Sequence, residues 1–132
     1  MRHFISLGSL SAALAVLSGA FGAHELKSKI PPEALAIFQT GVQYHLYHSL
    51  GLVLIGIICR VGKPSTAMSF SGWMMLIGII LFSGSLYILS ITGIRSIGMI
   101  TPIGGILFIT SWILLATALL KLQTHTANEA RD

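Results

Sequence analysis

Charge is scarce in this chain. Of 132 residues, only 9% are Asp, Glu, Lys or Arg, against about 25% in a typical soluble domain. So few polar groups cannot clothe a globular surface in water, and the solvent for most of the chain is lipid. The 8 basic residues are scattered. A nucleic-acid binder needs a clustered basic stripe, so no nucleic-acid partner is expected. Cysteine occurs once, at Cys59, which excludes an internal disulfide and a cysteine-pair zinc site. The 4 acidic residues all lie outside the long apolar runs. No carboxylate is therefore available inside them as a general acid, general base or metal ligand. There is no phosphate loop, nucleophile elbow, zinc-protease motif or dinucleotide fingerprint. Without a nucleophile–base pair, enzymatic activity is not expected, and neither is a cofactor.

What is present is apolar: 54% of the residues are hydrophobic. A membrane-spanning helix needs about 20 mostly apolar residues, and four stretches supply them: about 4–23, 38–59, 67–91 and 100–120. The connecting segments "HELKSKIPPEA", "RVGKPST" and "TGIRSIGM" hold the turn formers and most of the charge. Residues 1–121 form one membrane domain, and 122–132 a polar tail expected to be frayed. Pro32 suits a first helical turn and Glu33 the positive helix end, so the second helix begins ahead of its apolar core. Thr101 and Pro102 form a cap and first turn for the fourth.

The first run has a competing reading as a cleaved signal peptide. "MRHF" is a short basic start and Ser18–Ala20 a passable cleavage triplet. Small residues at helical spacing, Gly8, Ala12, Ala15, Gly19 and Gly22, favour a retained span, because such a stripe lets helix backbones approach closely. With four spans, Arg2, Arg60, Lys63, Lys121 and Arg131 fall on one side, and Lys27, Lys29 and Arg95 on the other. The positive-inside rule then puts both termini in the cytoplasm. The expectation is an all-α, four-helix transmembrane bundle with both termini cytoplasmic.

Two histidines interrupt the lipid-like pattern in "GVQYHLYHSLGL" (41–52). At about 100° per residue, Gly41, Tyr44, His45, His48, Leu52, Ile55 and Gly56 share one helix face. That face holds glycines, so it is expected to meet other helices rather than lipid, where polar groups are costly. Ser18, Ser83, Ser85, Thr110 and Ser111 reach similar depths on the other spans. A buried imidazole disfavours its charged form, and the neutral ring has one donor and one acceptor, which these serines could satisfy. Two readings of His48 stay open. One is a structural hydrogen bond that fixes helix register; the other is a site for a proton, metal or polar ligand. His45 and His48 on adjacent turns, with His24 at the end of the first span, are weak metal candidates, and no metal is expected. Trp73 and Tyr87 suit an aromatic belt at opposite ends of the third span, whereas Trp112 near mid-span suits packing.

The motifs "GAFGAH" (19–24), "QYHLYH" (43–48), "LFSGSLY" (81–87) and "ITPIGG" (100–105), in this order and spacing, resemble domain of unknown function family 423. That family of small integral membrane proteins includes the bacterial YgdD-like proteins and vertebrate transmembrane protein 256. The resemblance covers the chain apart from its polar tail. It implies a four-helix inner-membrane protein in a bacterium, and it implies no reaction. The matching positions are Gly19, Phe21, Gly22, His24, Gln43, Tyr44, Tyr47, His48, Ser83, Gly84, Ser85, Tyr87, Thr101, Pro102 and Gly105, while the family pattern admits other polar residues at His45. The expected function is that of a structural or accessory membrane component without catalytic activity. Its partners would be the bilayer and either other membrane proteins or further copies of itself. The alternative is a binding or transport module for a small ligand, proton or metal. It would use an outer-leaflet polar pocket of His48, Ser83, Ser85, Tyr87, Gln43, Tyr44 and His24.

Overall fold

The computed structural model describes residues 3–62 and 65–129, with side chains as far as residue 122. Arg2, Lys63 and Arg131, three of the charges in the orientation count, lie outside the described residues. The regular elements of the described chain are all helices: α1 (His3–His24), α2 (Pro32–Val61), α3 (Thr66–Thr92) and α4 (Thr101–Glu129), with short 3-10 turns at Leu26–Ser28 and Arg95–Met99. All four helices are long and apolar enough to cross a membrane. Helix α4 runs past the expected end at Leu120, so the polar tail is helical to Glu129, and residues 130–132 lie outside the described residues.

Local chemistry sets most helix ends. Helix α2 starts at Pro32, with Pro31 as N-cap and Glu33 in the first turn. Proline costs nothing there because its missing N–H would have no intrahelical acceptor. Ser65 caps α3 by accepting a hydrogen bond from the Met68 N–H at 3.3 Å. Gly93 ends α3 in the left-handed region, φ 69°, a conformation that disfavours any side chain. Thr101 behaves differently from the cap expected of it. It is the first residue of α4, and its hydroxyl pairs with Ser85 Oγ of α3 at 2.7 Å.

The main helix contacts are α1 with α2, α2 with α3, and α3 with α4. Helices α2 and α3 are therefore the central pair, flanked by α1 and α4. Glycine makes the close contacts possible. A Cβ on Gly8 would stand 2.8 Å from the Ser49 carbonyl oxygen, and one on Gly56 2.7 Å from the Ile5 nitrogen, so the α1 and α2 backbones touch from both sides. One on Gly104 would stand 2.5 Å from the Phe82 nitrogen, which does the same for α4 on α3. The expected α1 stripe faces this seam. Gly8, Ala15 and Gly22 are buried, and Ala12 and Gly19 half-buried. Toward the end where α2 finishes and α3 begins, an apolar cluster fills the core: Phe4, Leu52, Ile55, Cys59, Met68, Met75, Leu115 and Ala118. Buried serines stand within and beside it, with Ser71 between Met68 and Met75 on α3.

Candidate functional site

His45 sits on α2 and joins three helices. Its Nδ1 lies 3.0 Å from Tyr87 Oη of α3, and its Nε2 3.0 Å from Ser11 Oγ of α1. Ser11 is also 2.7 Å from Ser49 Oγ, and Ser49 donates to the His45 carbonyl at 2.7 Å. Counting protons gives the chain a direction. Because the Ser49 proton goes to the backbone, Ser49 Oγ receives the proton of Ser11. Ser11 then accepts from the His45 Nε2–H, which leaves Nδ1 to accept from the Tyr87 hydroxyl. A single neutral tautomer satisfies every member. In lipid such closure matters, because no water competes for these groups.

His48, one turn on, is built in differently. It is buried, as expected from its face, but it meets no serine. Its Nδ1–H donates to the Tyr44 carbonyl of its own helix at 2.8 Å. The ring stacks on Phe108 of α4 with centroids 3.4 Å apart and planes 12° apart. Tyr44 and Trp112 stand at 5.8 and 6.3 Å. The serines expected around it take other partners. Ser111 and Ser71 donate reciprocally to each other's backbone carbonyls, at 2.8 and 2.9 Å, and bind α4 to α3. Ser85 donates to the Phe82 carbonyl and receives the Thr101 hydroxyl. Thr110 bonds to Ile106 of its own helix.

A lateral cleft of about 340 Å³ opens between α1 and α3. It is lined by Leu7, Leu10, Ser11 and Leu14 of α1, His45 of α2, and Leu76, Ile79, Ile80, Ser83, Gly84 and Tyr87 of α3. Of the residues expected to form one pocket, it brings together Ser83 and Tyr87, and it takes His45 in place of His48. His24 and Gln43 are exposed. Gln43 borders a separate shallow hollow of about 190 Å³ with Gly19 and Gly22. Tyr44 stacks on Phe82 at 4.5 Å on the α4 flank. Tyr87 is bound to His45 rather than free for an interfacial belt. Among the described residues, no group of three His, Cys, Asp or Glu side chains converges; His45 and His48 turn to different neighbours.

Ser83 is the exception to polar closure. It is 1% exposed, and its Oγ is the one fully buried side-chain oxygen or nitrogen among the described residues without a hydrogen-bond partner. Such a group costs about 1–3 kcal/mol. Ser11, Ser49 and Ser71 hold interhelical bonds that the sequence motifs did not single out. The signals were present, since Ser11 stands on the α1 stripe between Gly8 and Ala15, and Ser49 is four residues from His45.

The motifs and this architecture agree with comparisons to known proteins. The family described as "Protein of unknown function (DUF423)" matches residues 18–105. The chain belongs to that family. It is 50% identical over 121 residues to the UPF0382 membrane protein YwdK of Bacillus subtilis, covering 92% of this chain and 98% of the relative. It is 48% identical over 122 residues to a UPF0382 membrane protein of Staphylococcus saprophyticus, covering 92% of this chain and 100% of the relative. No solved structure matches the chain. Residues 18–105 of the DUF423 match contain His45, His48, Ser83 and Tyr87, but not Ser11. The chain is a membrane protein with four candidate spans.

Proposed function

We propose that this DUF423 protein is a non-catalytic accessory component of the bacterial cytoplasmic membrane, with both termini in the cytoplasm. The observation that carries the reading is the closure of its intramembrane hydrogen bonds. Ser11, His45, Ser49 and Tyr87 satisfy one another, as do Ser71 with Ser111 and Ser85 with Thr101. A catalytic site presents an activated atom to its substrate. These groups instead spend their protons on one another and on backbone carbonyls, which is the chemistry of helix register. The bacterial relatives support the location, and the Lys and Arg distribution supports the orientation.

The test is crosslinking in native membranes followed by identification of the crosslinked species. A specific membrane-protein partner is expected. Recovery of only this chain would count against an accessory role. The same cells carrying a C-terminal reporter active on one side of the membrane fix the orientation, and a periplasmic readout would overturn it.

A further inference from the structure

We propose that the cleft between α1 and α3 is a binding site for an uncharged, lipid-soluble carbonyl compound, with the chemistry of a quinone head on an apolar tail. This goes beyond the accessory role and does not depend on it.

Three independent features meet there. The first is the unpartnered Ser83 hydroxyl, buried in the cleft wall. A serine in a helix ordinarily bonds back to the carbonyl one turn earlier, as Ser49 and Ser85 do here with nearby carbonyls of their own helices. Ser83 leaves its donor uncommitted. The second is Gly84. Glycine weakens a helix interior relative to alanine, so it needs a reason. Elsewhere on α3 the reason is packing: a Cβ on Gly72 would collide with the Phe4 ring and one on Gly78 with Phe108. A Cβ on Gly84 would meet nothing within 4 Å. Its missing side chain leaves room in the cleft and relieves no contact within the protein. The third is the wall. No charged residue lines the cleft, and Leu10, Leu14 and Ile80 at its rim are exposed to the lipid side. A site with apolar walls and a single uncommitted donor suits an apolar molecule that turns one acceptor oxygen toward that donor.

Depth decides between sources of that oxygen. The cleft spans residues 7–14 of α1 and 76–87 of α3, near the middle of helices His3–His24 and Thr66–Thr92. Ser83 is four residues from the midpoint of α3, so it lies about 6 Å from the bilayer midplane. Phospholipid ester carbonyls lie at the edge of a hydrocarbon core about 30 Å thick. A carbonyl compound dissolved in the hydrocarbon can come to the depth of Ser83, whereas an anchored ester stays at the edge of the core. His45 and Tyr87, already hydrogen-bonded to each other, line the same cleft and leave Ser83 as its uncommitted donor.

The experiment uses the full chain in phosphatidylcholine nanodiscs, titrated with decylubiquinone, with bound quinone measured by co-elution against empty discs. Saturable binding at one per chain is expected. Gly84→Leu, whose Cβ would meet no protein atom within 4 Å and whose longer side chain takes up cleft volume, is expected to abolish it. Ser83→Ala is expected to weaken it about tenfold, and His48→Phe on the opposite flank to leave it unchanged. Thermal unfolding of each variant separates lost binding from lost fold, and Ser83→Ala keeps the test valid if Gly84→Leu unfolds. Binding no greater than to empty discs would overturn the proposal. So would unchanged binding in Gly84→Leu or Ser83→Ala, or mass spectra showing only phospholipid retained in the cleft. A chain dimer that Gly84→Leu dissociates would likewise overturn it, because a second copy would then be the occupant.

Discussion

On its α1 side, helix α2 presents His45 to a hydrogen-bonded chain beside an open cleft. On its α4 side, it presents His48 to a stack of aromatic rings with no interhelical hydrogen bond. The two imidazoles are one turn apart on one helix and equally buried, at 8% exposure each, yet they do different work. The first flank is held by directional bonds that fix the register of three helices. At His48 the contact with α4 is made by ring area and dispersion, which tolerate small shifts. Intramembrane histidine therefore has no single meaning even within one short helix. What stands opposite the ring decides whether it acts as a polar junction or as a flat packing surface.

The largest expected effect sharpens the part the flanks share. Gly8→Leu and Gly104→Leu insert side chains where α1 meets α2 and α4 meets α3. Each should cost roughly 3 kcal/mol, read from unfolding in mixed detergent micelles. Tolerance of either would mean that the helices stand further apart than described. The next prediction could break the comparison outright. His45→Phe strands the Tyr87 hydroxyl and removes the acceptor pairing of Ser11, with an expected cost of about 2 kcal/mol. His48→Phe keeps the stack on Phe108 and should cost less than about 1 kcal/mol. Equal costs in the same assay would show that the flanks are held alike. Ser71→Ala and Ser111→Ala test the reciprocal pair between α3 and α4. Each should cost about 0.6 kcal/mol, typical of interhelical bonds in membranes, and a double-mutant cycle should show coupling. The smallest change has the opposite sign. Ser83→Ala removes a buried hydroxyl without a partner and should leave the ligand-free protein as stable or up to about 1 kcal/mol more stable. A clear loss of stability would reveal a hydrogen bond at Ser83 that the structure lacks.

Much of the frame was legible in particular residues. The proline pair before Glu33 places the start of α2, because the first helical turn tolerates what the interior does not. The Gly8–Gly22 stripe locates the α1 face that meets α2. Thr101 was misread because a threonine before proline is a sound local cap, and nothing local reveals Ser85 across the α3–α4 seam. The expected His48 pocket failed for the same kind of reason. Matching depths put Ser83, Ser85 and Ser111 within plausible reach, but depth says nothing about rotation around the helix axis.

The amino-acid sequence alone determined the solvent, the number of spans, and which faces are small enough to pack. Those follow from composition, run length and helical spacing, all properties of one segment at a time. Only the tertiary structure decided that His45 meets Ser11 and Tyr87 while His48 meets Phe108, and that Ser83 is left without a partner beside an open glycine. The physical reason is that His45 and His48 lie only about 60° apart on the helix face. Their fates are set by how far α1, α3 and α4 are rotated and slid against α2, a result of the packing of all four helices together.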